Sequence, residues 1–326
     1  MRSHASMNKY RSTGRADANR QGFSDRSLRT SVSRGELAKI RRGAYGGPIE
    51  QLPPASQHRA LVVATARELG PSTVISDWSA AVMHGLPVHV SLLTQVRVIR
   101  SGTCSNVAGR PTLARKANLQ PHEVVLIDGV PCTSLARTVF DLAGTDHFPD
   151  ALAIADAALR AGMSADDLPV GGRASARRAL VTEHANPFRE SYLESYSFAR
   201  LIQLGMPLPE LQPKLLGATG LLLGRGDFLW RDQGVIGEVD GLTKYTGAYG
   251  KSPEQTISDE KNRHQNIEFD GWVVVRWGFA LMRGHQRGFA DRIQAALARG
   301  AALPAPRSRI LTPDDPEWHE WHPSGR

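Results

Sequence analysis

The chain has 326 residues, of which 41% are hydrophobic and 22% charged, and this composition predicts a globular protein of two or three domains. No apolar stretch is long enough to span a membrane, and the polar, basic N-terminus lacks the apolar core of a secretory signal. The two cysteines, Cys104 and Cys132, are too few for a disulfide framework or a four-cysteine metal site. The sequence therefore predicts a cytoplasmic protein with packed free thiols and no membrane partner.

The positive charge lies almost entirely at the N-terminal end. The formal net charge is +8, and residues 1–50 hold eleven Lys/Arg against four Asp/Glu, a net +7. Such an asymmetry is typical of an arm or small domain that contacts nucleic acid. Residues 1–22 are rich in Arg, Ser, Asn and Gly, which predicts a disordered basic arm. A tail that only aids solubility is the alternative explanation for this arm.

Residues 23–50 predict part of a winged-helix module. Ser24 is a suitable N-cap for a short helix, and the stretch from Ile40 to Tyr45 predicts a small hairpin. In a winged-helix module a helix enters the DNA groove while the hairpin contacts backbone phosphates. The basic residues that we expect to contact DNA are Arg26, Arg29, Arg34, Lys39, Arg41 and Arg42.

Residues 51–185 alternate between helix-like and strand-like patterns, which favours an α/β middle domain. The predicted elements are a helix over His58–Leu69, strands over Gln95–Ile99 and Val124–Ile127, and a helix from Ser134 to about Leu142. Arg137 and Asp141 stand four residues apart in the last helix, as in an ordinary ion pair on a helix surface. A Gly- and Arg-containing stretch over residues 163–185 predicts the end of this domain.

Four stretches of the first half share a pattern with a known family. They are Gly35–Tyr45, Ser76–Pro87, Asp128–Ala143 and Ala155–Arg160. Together they resemble the AbiEi-like antitoxins of bacterial type IV toxin–antitoxin systems, over roughly residues 24–165. The resemblance implies a DNA-binding autorepressor that antagonises a nucleotidyltransferase-type toxin.

Residues 186–300 predict a separate domain with the element order α-β-β-β-α-β-α. Its expected elements are a helix from about Arg189 to Leu204, a strand near Leu211–Leu216, a hairpin turning at Arg231–Gly234, a helix over about 253–269, a strand over Gly271–Trp277 and a helix over about 281–299. Residues 301–326 predict a loosely packed tail.

Three carboxylates flank the turn of the predicted hairpin: Asp227 before it, and Glu238 and Asp240 after it. Side chains alternate along a strand with period two, so an even register places all three on one sheet face. Like charges on neighbouring strands are destabilising. A hard cation such as Mg²⁺, which prefers oxygen ligands, would relieve that repulsion.

Two registers satisfy this arrangement. A loop of Asp232-Gln233 places Asp227 opposite Glu238, whereas a loop of Gln233-Gly234 places Asp227 opposite Asp240. Both alternatives are compatible with a tight hairpin, and both keep the three carboxylates together. A three-residue loop would instead place Asp227 opposite Val239 and separate the carboxylates.

Four stretches of this domain share a pattern with a second known family: Glu194-Ser195, Gly226–Phe228, Glu238–Gly241 and Gly271–Trp277. With the element order, they resemble the PD-(D/E)XK nuclease fold, in particular its branch of very-short-patch-repair endonucleases. By that resemblance Asp227 and Glu238 bind the metal, and Glu194 is the acid of the first helix. Asp240 stands where the wider superfamily often has lysine, so Lys244 or Lys261 would supply the positive charge.

The sequence thus predicts a mixed α/β fold and a DNA-binding protein that resembles type IV antitoxins and ends in a nuclease-type domain. An active Mg²⁺-dependent endonuclease is one alternative, and a protein-interaction module with a degenerate nuclease fold is another. For an endonuclease the expected catalytic residues are Glu194, Asp227, Glu238, Asp240 and Lys244, with Asp227, Glu238 and Asp240 as metal ligands.

Overall fold

Helices and strands are interspersed along the whole chain, which confirms the mixed α/β class. The computed structural model describes residues 13–14, 24–41, 44–47, 51–70, 72–100, 112–241, 262–284 and 286–320. Within these ranges, every helix is too short or too polar to cross a lipid bilayer.

The chain forms two units, and each of them is built from two separate stretches of sequence. The first unit consists of Met1–His147 and Ala161–Glu183, and the second of Phe148–Arg160 and His184–Arg326. The sequence placed the last domain boundary near residue 186. The structure differs because residues 148–160 belong to the second unit.

The first unit begins with a helix and a small sheet. Its elements are β1 (Thr13–Gly14), α1 (Asp25–Ser33), β2 (Ala38–Arg41) and β3 (Ala44–Gly46). The side chain of Ser24 accepts the N–H of Ser27 at 3.1 Å, which confirms the predicted N-cap. Because β1 pairs with β3, part of the segment predicted to be a disordered arm is instead a strand. The remainder of residues 1–22 lies outside the described residues.

The rest of the first unit is a five-stranded sheet with helices. The elements are α2 (Pro54–Leu69), β4 (Thr73–Ile75), α3 (Asp77–Met83), β5 (Val96–Arg100), β6 (Thr112–Arg115), β7 (Val124–Ile127), β8 (Val130–Thr133), α4 (Leu135–Ala143) and α6 (Ser175–His184). The strand order is β6-β5-β4-β8-β7. Cys132 is a buried free thiol in this core, as predicted, while Cys104 lies outside the described residues.

The second unit carries two further sheets. Its elements are α5 (Phe148–Arg160), α7 (Tyr192–Gln203), β9 (Glu210–Leu211), β10 (Lys214–Leu216), β11 (Leu222–Arg225), β12 (Phe228–Trp230), β13 (Val235–Asp240), helix α8 over residues 262–269, β14 (Val273–Gly278), α9 (Phe279–Gly284), α10 (Gln286–Ala301), β15 (Arg309–Leu311) and α11 (Pro316–Glu320). One sheet has the order β14-β13-β12-β9 and the other β11-β10-β15.

The hairpin of β12 and β13 is present, and its register pairs Phe228 with Gly237 and Trp230 with Val235. Of the two predicted registers, this is the one that the Asp232-Gln233 loop implies. The connection is longer than a two-residue loop, because a 3₁₀ turn precedes Gly234, whose backbone is left-handed at φ 62°. Glycine adopts that conformation without the steric cost of a Cβ.

Aromatic packing explains why the sequence has glycine in the middle of β13. The ring of Phe228 stacks on Trp277 at 5.7 Å between centroids. A Cβ on Gly237 would lie 2.7 Å from Trp277 and 3.0 Å from Trp230. Protein cores are close-packed, so any larger residue here would displace the rings that fill the core of the second unit.

A buried ion pair ties α5 to the second unit. Arg189 donates to both carboxylate oxygens of Asp156, at 2.6 and 2.9 Å, and the two side chains are 1% and 0% exposed. Asp156 also accepts the N–H of Asn186 at 2.7 Å. A charge that is buried this deeply requires a partner, so α5 and the segment before α7 are held together.

The C-terminal segment is an integral part of the second unit where the structure describes it. Strand β15 pairs with β10, and the indole N–H of Trp318 donates to the carbonyl of Gln212 at 2.9 Å. Lys214 lies 4.2 Å from the centre of the Trp318 ring. The prediction of a loosely packed tail was therefore wrong for residues up to 320, because contacts distant in sequence order this segment.

Candidate functional site

Glu194 lies at the first turn of α7 and is 6% exposed. Ser191 caps this helix by accepting the N–H of Glu194 at 3.1 Å. One carboxylate oxygen of Glu194 accepts both the N–H of Glu190 and the side-chain N–H of Gln212, each at 2.8 Å. Burial, followed by the negative charge of Asp227, raises the pKa of Glu194 to about 7. An acid that titrates near neutral pH can both hold and release a proton.

Gln212 joins the two acidic residues and was missed by the sequence analysis. Its backbone N–H donates to the carbonyl of Asp227 at 3.0 Å, and its side-chain nitrogen donates to Glu194. The residue is 1% exposed and has a left-handed backbone at φ 50°, which is uncommon for a residue other than glycine. Nothing in the local sequence signals this, because a lone glutamine between two prolines is an ordinary loop residue.

Asp227 lies just before β12, where the hairpin ladder ends. Its N–H donates to the carbonyl of Gly237 at 3.1 Å, and its carboxylate accepts the N–H of Val239 at 2.7 Å. The Asp227 carboxylate thus takes the place of a backbone carbonyl as the acceptor for Val239, the residue that follows Glu238. The structure brings Asp227 near Glu194 and beside β13, the strand that carries the other two predicted acids.

Glu238 is buried between two arginines. Arg276, its neighbour on the parallel strand β14, contacts Oε2 through Nε at 2.8 Å and Nη2 at 2.7 Å. Nη1 of Arg263, on α8, lies 2.9 Å from Oε1 of Glu238. The two groups form an ion pair, but their geometry is not that of a hydrogen bond. These arginines compete with any cation for the Glu238 carboxylate. The guanidinium groups also place positive charge beside the acids.

The remaining predicted site residues are less constrained. Asp240 is exposed at the end of β13, and Lys244 and Lys261 lie outside the described residues. Among the residues that the structure describes, no group of three or more His, Cys, Asp or Glu is arranged to hold a metal ion. A cation here would therefore need neutral oxygens or a substrate phosphate in addition to carboxylates.

The predicted DNA contacts of the first unit divide into two groups. Arg26, Arg29, Arg34 and Lys39 are exposed on α1, after it and on β2. Arg41 is largely buried and bound internally, by a hydrogen bond to Thr65 at 2.7 Å and an ion pair with Glu68 at 2.8 Å. Arg42 lies outside the described residues.

The predicted pair of Arg137 and Asp141 is present at 3.1 Å, but it is largely buried rather than on the helix surface, since the two side chains are 13% and 7% exposed. It belongs to a larger network, because Arg137 also contacts Glu123 at 2.8 Å and Arg115 contacts Asp141 at 2.5 Å. Each of these charges has an opposite charge beside it, so the network has a structural explanation.

Comparisons with known proteins identify relatives but assign no activity. No family model matches the chain. Two proteins of Mycobacterium tuberculosis, "Uncharacterized protein MT2308" (strain CDC 1551 / Oshkosh) and "Uncharacterized protein Rv2248" (strain H37Rv), are each 31% identical over 156 residues. This match covers 46% of the chain and 55% of either relative, so the chain spans about half the length of the curated relatives it matches.

Among solved structures, the crystal structure of the RV2827C protein from Mycobacterium tuberculosis is similar over 60% of this chain and 73% of that one, with 14% identity and a TM-score of 0.32.

Proposed function

We propose that this protein binds DNA and that its second unit is a nuclease-type domain that acts on the phosphodiester backbone with a divalent cation. The observation that carries the proposal is the meeting of Glu194 and Asp227 through Gln212, next to the strand that bears Glu238. Two acids from a helix and a hairpin, with arginines beside them, are suited to binding a cation and a phosphate together.

The order of elements in the second unit supports this proposal. Helix α7 is followed by the strands before the turn, by β13, by α8 over residues 262–269 and then by β14, which runs parallel to β13. Within the sheet of order β14-β13-β12-β9, three strands lie between α7 and α8, which agrees with the α-β-β-β-α-β-α order on which the resemblance to PD-(D/E)XK nucleases depends, while β10 and β11 of the other sheet are additions to that order.

The residues present fit a hard cation. Carboxylate and amide oxygens are ligands that Mg²⁺ accepts, and the buried Oε1 of Gln212 has no hydrogen-bond partner among the described residues. Glu194 and Asp227 would hold the ion, and Glu238 would join them on leaving an arginine. When bound, such an ion acidifies a water molecule and stabilises charge on phosphorus.

The protein's own side chains would orient the nucleic acid. Arg263 and Arg276 lie beside Glu238, and Arg225 is held by Glu190 at 2.7 Å. Guanidinium groups bind phosphate oxygens with two parallel hydrogen bonds, so these arginines are suited to hold the backbone. Asp240 and Lys244 are proposed to act at the reacting phosphate.

The nicking of supercoiled plasmid DNA tests the activity. We expect the wild-type protein to convert supercoiled DNA to open circles with Mg²⁺ or Mn²⁺ and not with EDTA. Asp227→Asn and Glu194→Gln should abolish nicking, whereas Glu317→Gln, a change at an exposed residue, should not. Absence of cleavage by the wild type on duplex, single-stranded and mismatched DNA would exclude the nuclease.

The two arginines at Glu238 favour a second candidate, in which the nuclease-type unit binds DNA without cutting it. The resemblance to type IV antitoxins then suggests an autorepressor that antagonises a nucleotidyltransferase-type toxin. Binding to the DNA upstream of its own gene in EDTA, together with no nicking when Mg²⁺ is added, would support this candidate over the nuclease.

A further inference from the structure

We propose that the side-chain amide of Gln212 is part of the cation site: Nε2 positions Glu194, and Oε1 is a neutral oxygen ligand for a divalent cation. This inference rests on the proposed function and adds a ligand to that site. It begins from one unexplained feature, which is that the buried Oε1 accepts no hydrogen bond from the described residues.

The amide has a defined position. The backbone N–H of Gln212 is bound to the Asp227 carbonyl at 3.0 Å, and its carbonyl accepts the indole N–H of Trp318 at 2.9 Å. The side-chain nitrogen is bound to Glu194 at 2.8 Å. Three bonds thus direct the amide toward the Glu194 carboxylate, and Oε1 lies on that same planar group.

An unsatisfied amide oxygen is costly in a buried position. A buried acceptor without a partner loses the hydrogen bonds that water would otherwise supply, and native proteins contain few of them. The left-handed backbone of Gln212 adds strain, because the residue is not glycine. Strained residues of this kind cluster at binding and catalytic sites, and a cation bound by Oε1 would offset the first of these costs.

The chemistry of the other ligands agrees with this assignment. Glu194 and Asp227 supply two carboxylates, and Mg²⁺ or Mn²⁺ takes about six oxygen ligands, commonly one or two carboxylates completed by waters and phosphates. A side-chain amide is a suitable neutral ligand for such an ion. Because Glu238 is bound by arginines, Oε1 of Gln212 is a further oxygen, on the amide that contacts Glu194, to which no described residue donates.

Titration of the full-length protein with Mn²⁺, followed by the loss of the free-ion electron paramagnetic resonance signal, tests the inference. We expect Gln212→Met, which keeps the length and removes both polar atoms, to weaken Mn²⁺ binding by about 10- to 100-fold. Gln203→Met, an exposed change on α7, is the matched control and should bind like the wild type.

Gln212→Glu separates a ligand from a purely structural residue. It keeps an oxygen at this position, so we expect Mn²⁺ affinity at least equal to that of the wild type, together with lower stability in EDTA. A structural role alone predicts that Glu and Met both weaken binding, and that result would overturn the inference. If Gln212→Met does not fold, the Mn²⁺ affinity of Gln212→Glu alone tests whether residue 212 is a ligand.

The same titration distinguishes the two proposals. If the wild type and Asp227→Asn bind Mn²⁺ equally weakly, the cation site itself is absent and the proposed nuclease function fails. If Asp227→Asn abolishes binding while Gln212→Met binds like the wild type, only the assignment of Gln212 is wrong.

Discussion

Glu238 shows how a single carboxylate can serve two competing roles. With Arg263 and Arg276 beside it, the side chain is satisfied without a cation. Exchanging one arginine for a divalent ion would free an oxygen of Glu238 and add one unit of positive charge beside the acids. The residue can therefore either close the site as a salt bridge or complete it as a ligand, and removal of one arginine tells the two apart.

Arg263→Met is expected to strengthen cation binding. The change removes a positive charge that lies 2.9 Å from Glu238, so the Mn²⁺ affinity should rise by roughly tenfold, or about 1.4 kcal/mol. Isothermal titration calorimetry measures this, with Arg309→Met at an exposed ion pair as the control. An unchanged or lower affinity would show that Glu238 is not a ligand.

His58 makes the stability of the first unit depend on pH. Its side chain is 3% exposed, and its Nε2 lies 2.8 Å from the hydroxyl of Ser79, which accepts the N–H of Arg97. The hydroxyl can therefore donate its hydrogen to a neutral imidazole. Burial lowers the pKa of His58 from 6.5 to about 4.

The sign of this effect follows from proton binding. Below pH 6.5 the unfolded chain takes up a proton that the folded protein does not, so stability present above pH 6.5 is lost as the pH falls toward 4. The loss should reach about 3 kcal/mol and should be absent in His58→Gln. Hydrogen exchange of α2 between pH 4 and pH 8 measures this loss of stability. The same pH dependence in the wild type and in His58→Gln would contradict its assignment to His58.

Among the elements, α5 most clearly depends on one pair of residues. Asp156→Asn should lower the free energy of unfolding by about 3 kcal/mol, because it leaves the Arg189 charge buried without a counter-charge. Urea unfolding of the second unit measures the effect. Glu317→Gln, which alters an ion pair that is 59% exposed on both sides, should change stability by less than about 0.5 kcal/mol. Equal effects of the two changes would rule out this role for Asp156.

The sequence predicted the elements whose signals are local. Ser24 could be recognised as an N-cap because capping involves neighbours within one turn. Side-chain alternation left two registers for β12 and β13, and the structure has the one that the Asp232-Gln233 loop implies. The contact of Gln212 with Trp318 could not be predicted, because the two residues are 106 positions apart, and the contacts of Gln212 with Glu194 and Asp227 have no local sequence signal. The pairing of Glu238 with Arg263 and Arg276 could not be predicted, because these arginines come from α8 and β14, which follow the hairpin in the chain.

For the whole molecule, we expect the proposed DNA binding to be sensitive to salt, because basic residues of α1 are exposed. Arg26 and Arg29 are both exposed and lie three residues apart, on one face of the helix. If each contacts a phosphate, changing both to Gln should reduce the slope of log K against log salt by about 1.8. Fluorescence anisotropy with labelled duplex DNA from 50 to 200 mM salt would measure the slope.

Arg41→Gln is the matched control for this experiment. Because Arg41 is bound to Thr65 and Glu68, its loss should lower the stability of the first unit and leave the salt slope unchanged. The proposed contact surface would be contradicted if the salt slope fell in Arg41→Gln and stayed unchanged in the double variant of Arg26 and Arg29.

The chain enters the second unit at α5 and then goes back to the first unit for residues 161–183. This path determines how the protein can be divided into fragments. A fragment that starts at residue 186 would lack Asp156 and the helix that carries it, while one that ends at residue 185 would carry that helix without Arg189. Neither half is a self-sufficient piece of sequence. Separate expression of the second unit should begin at residue 148 and replace residues 161–183 with a short linker. A cut between residues 185 and 186 should yield two insoluble products.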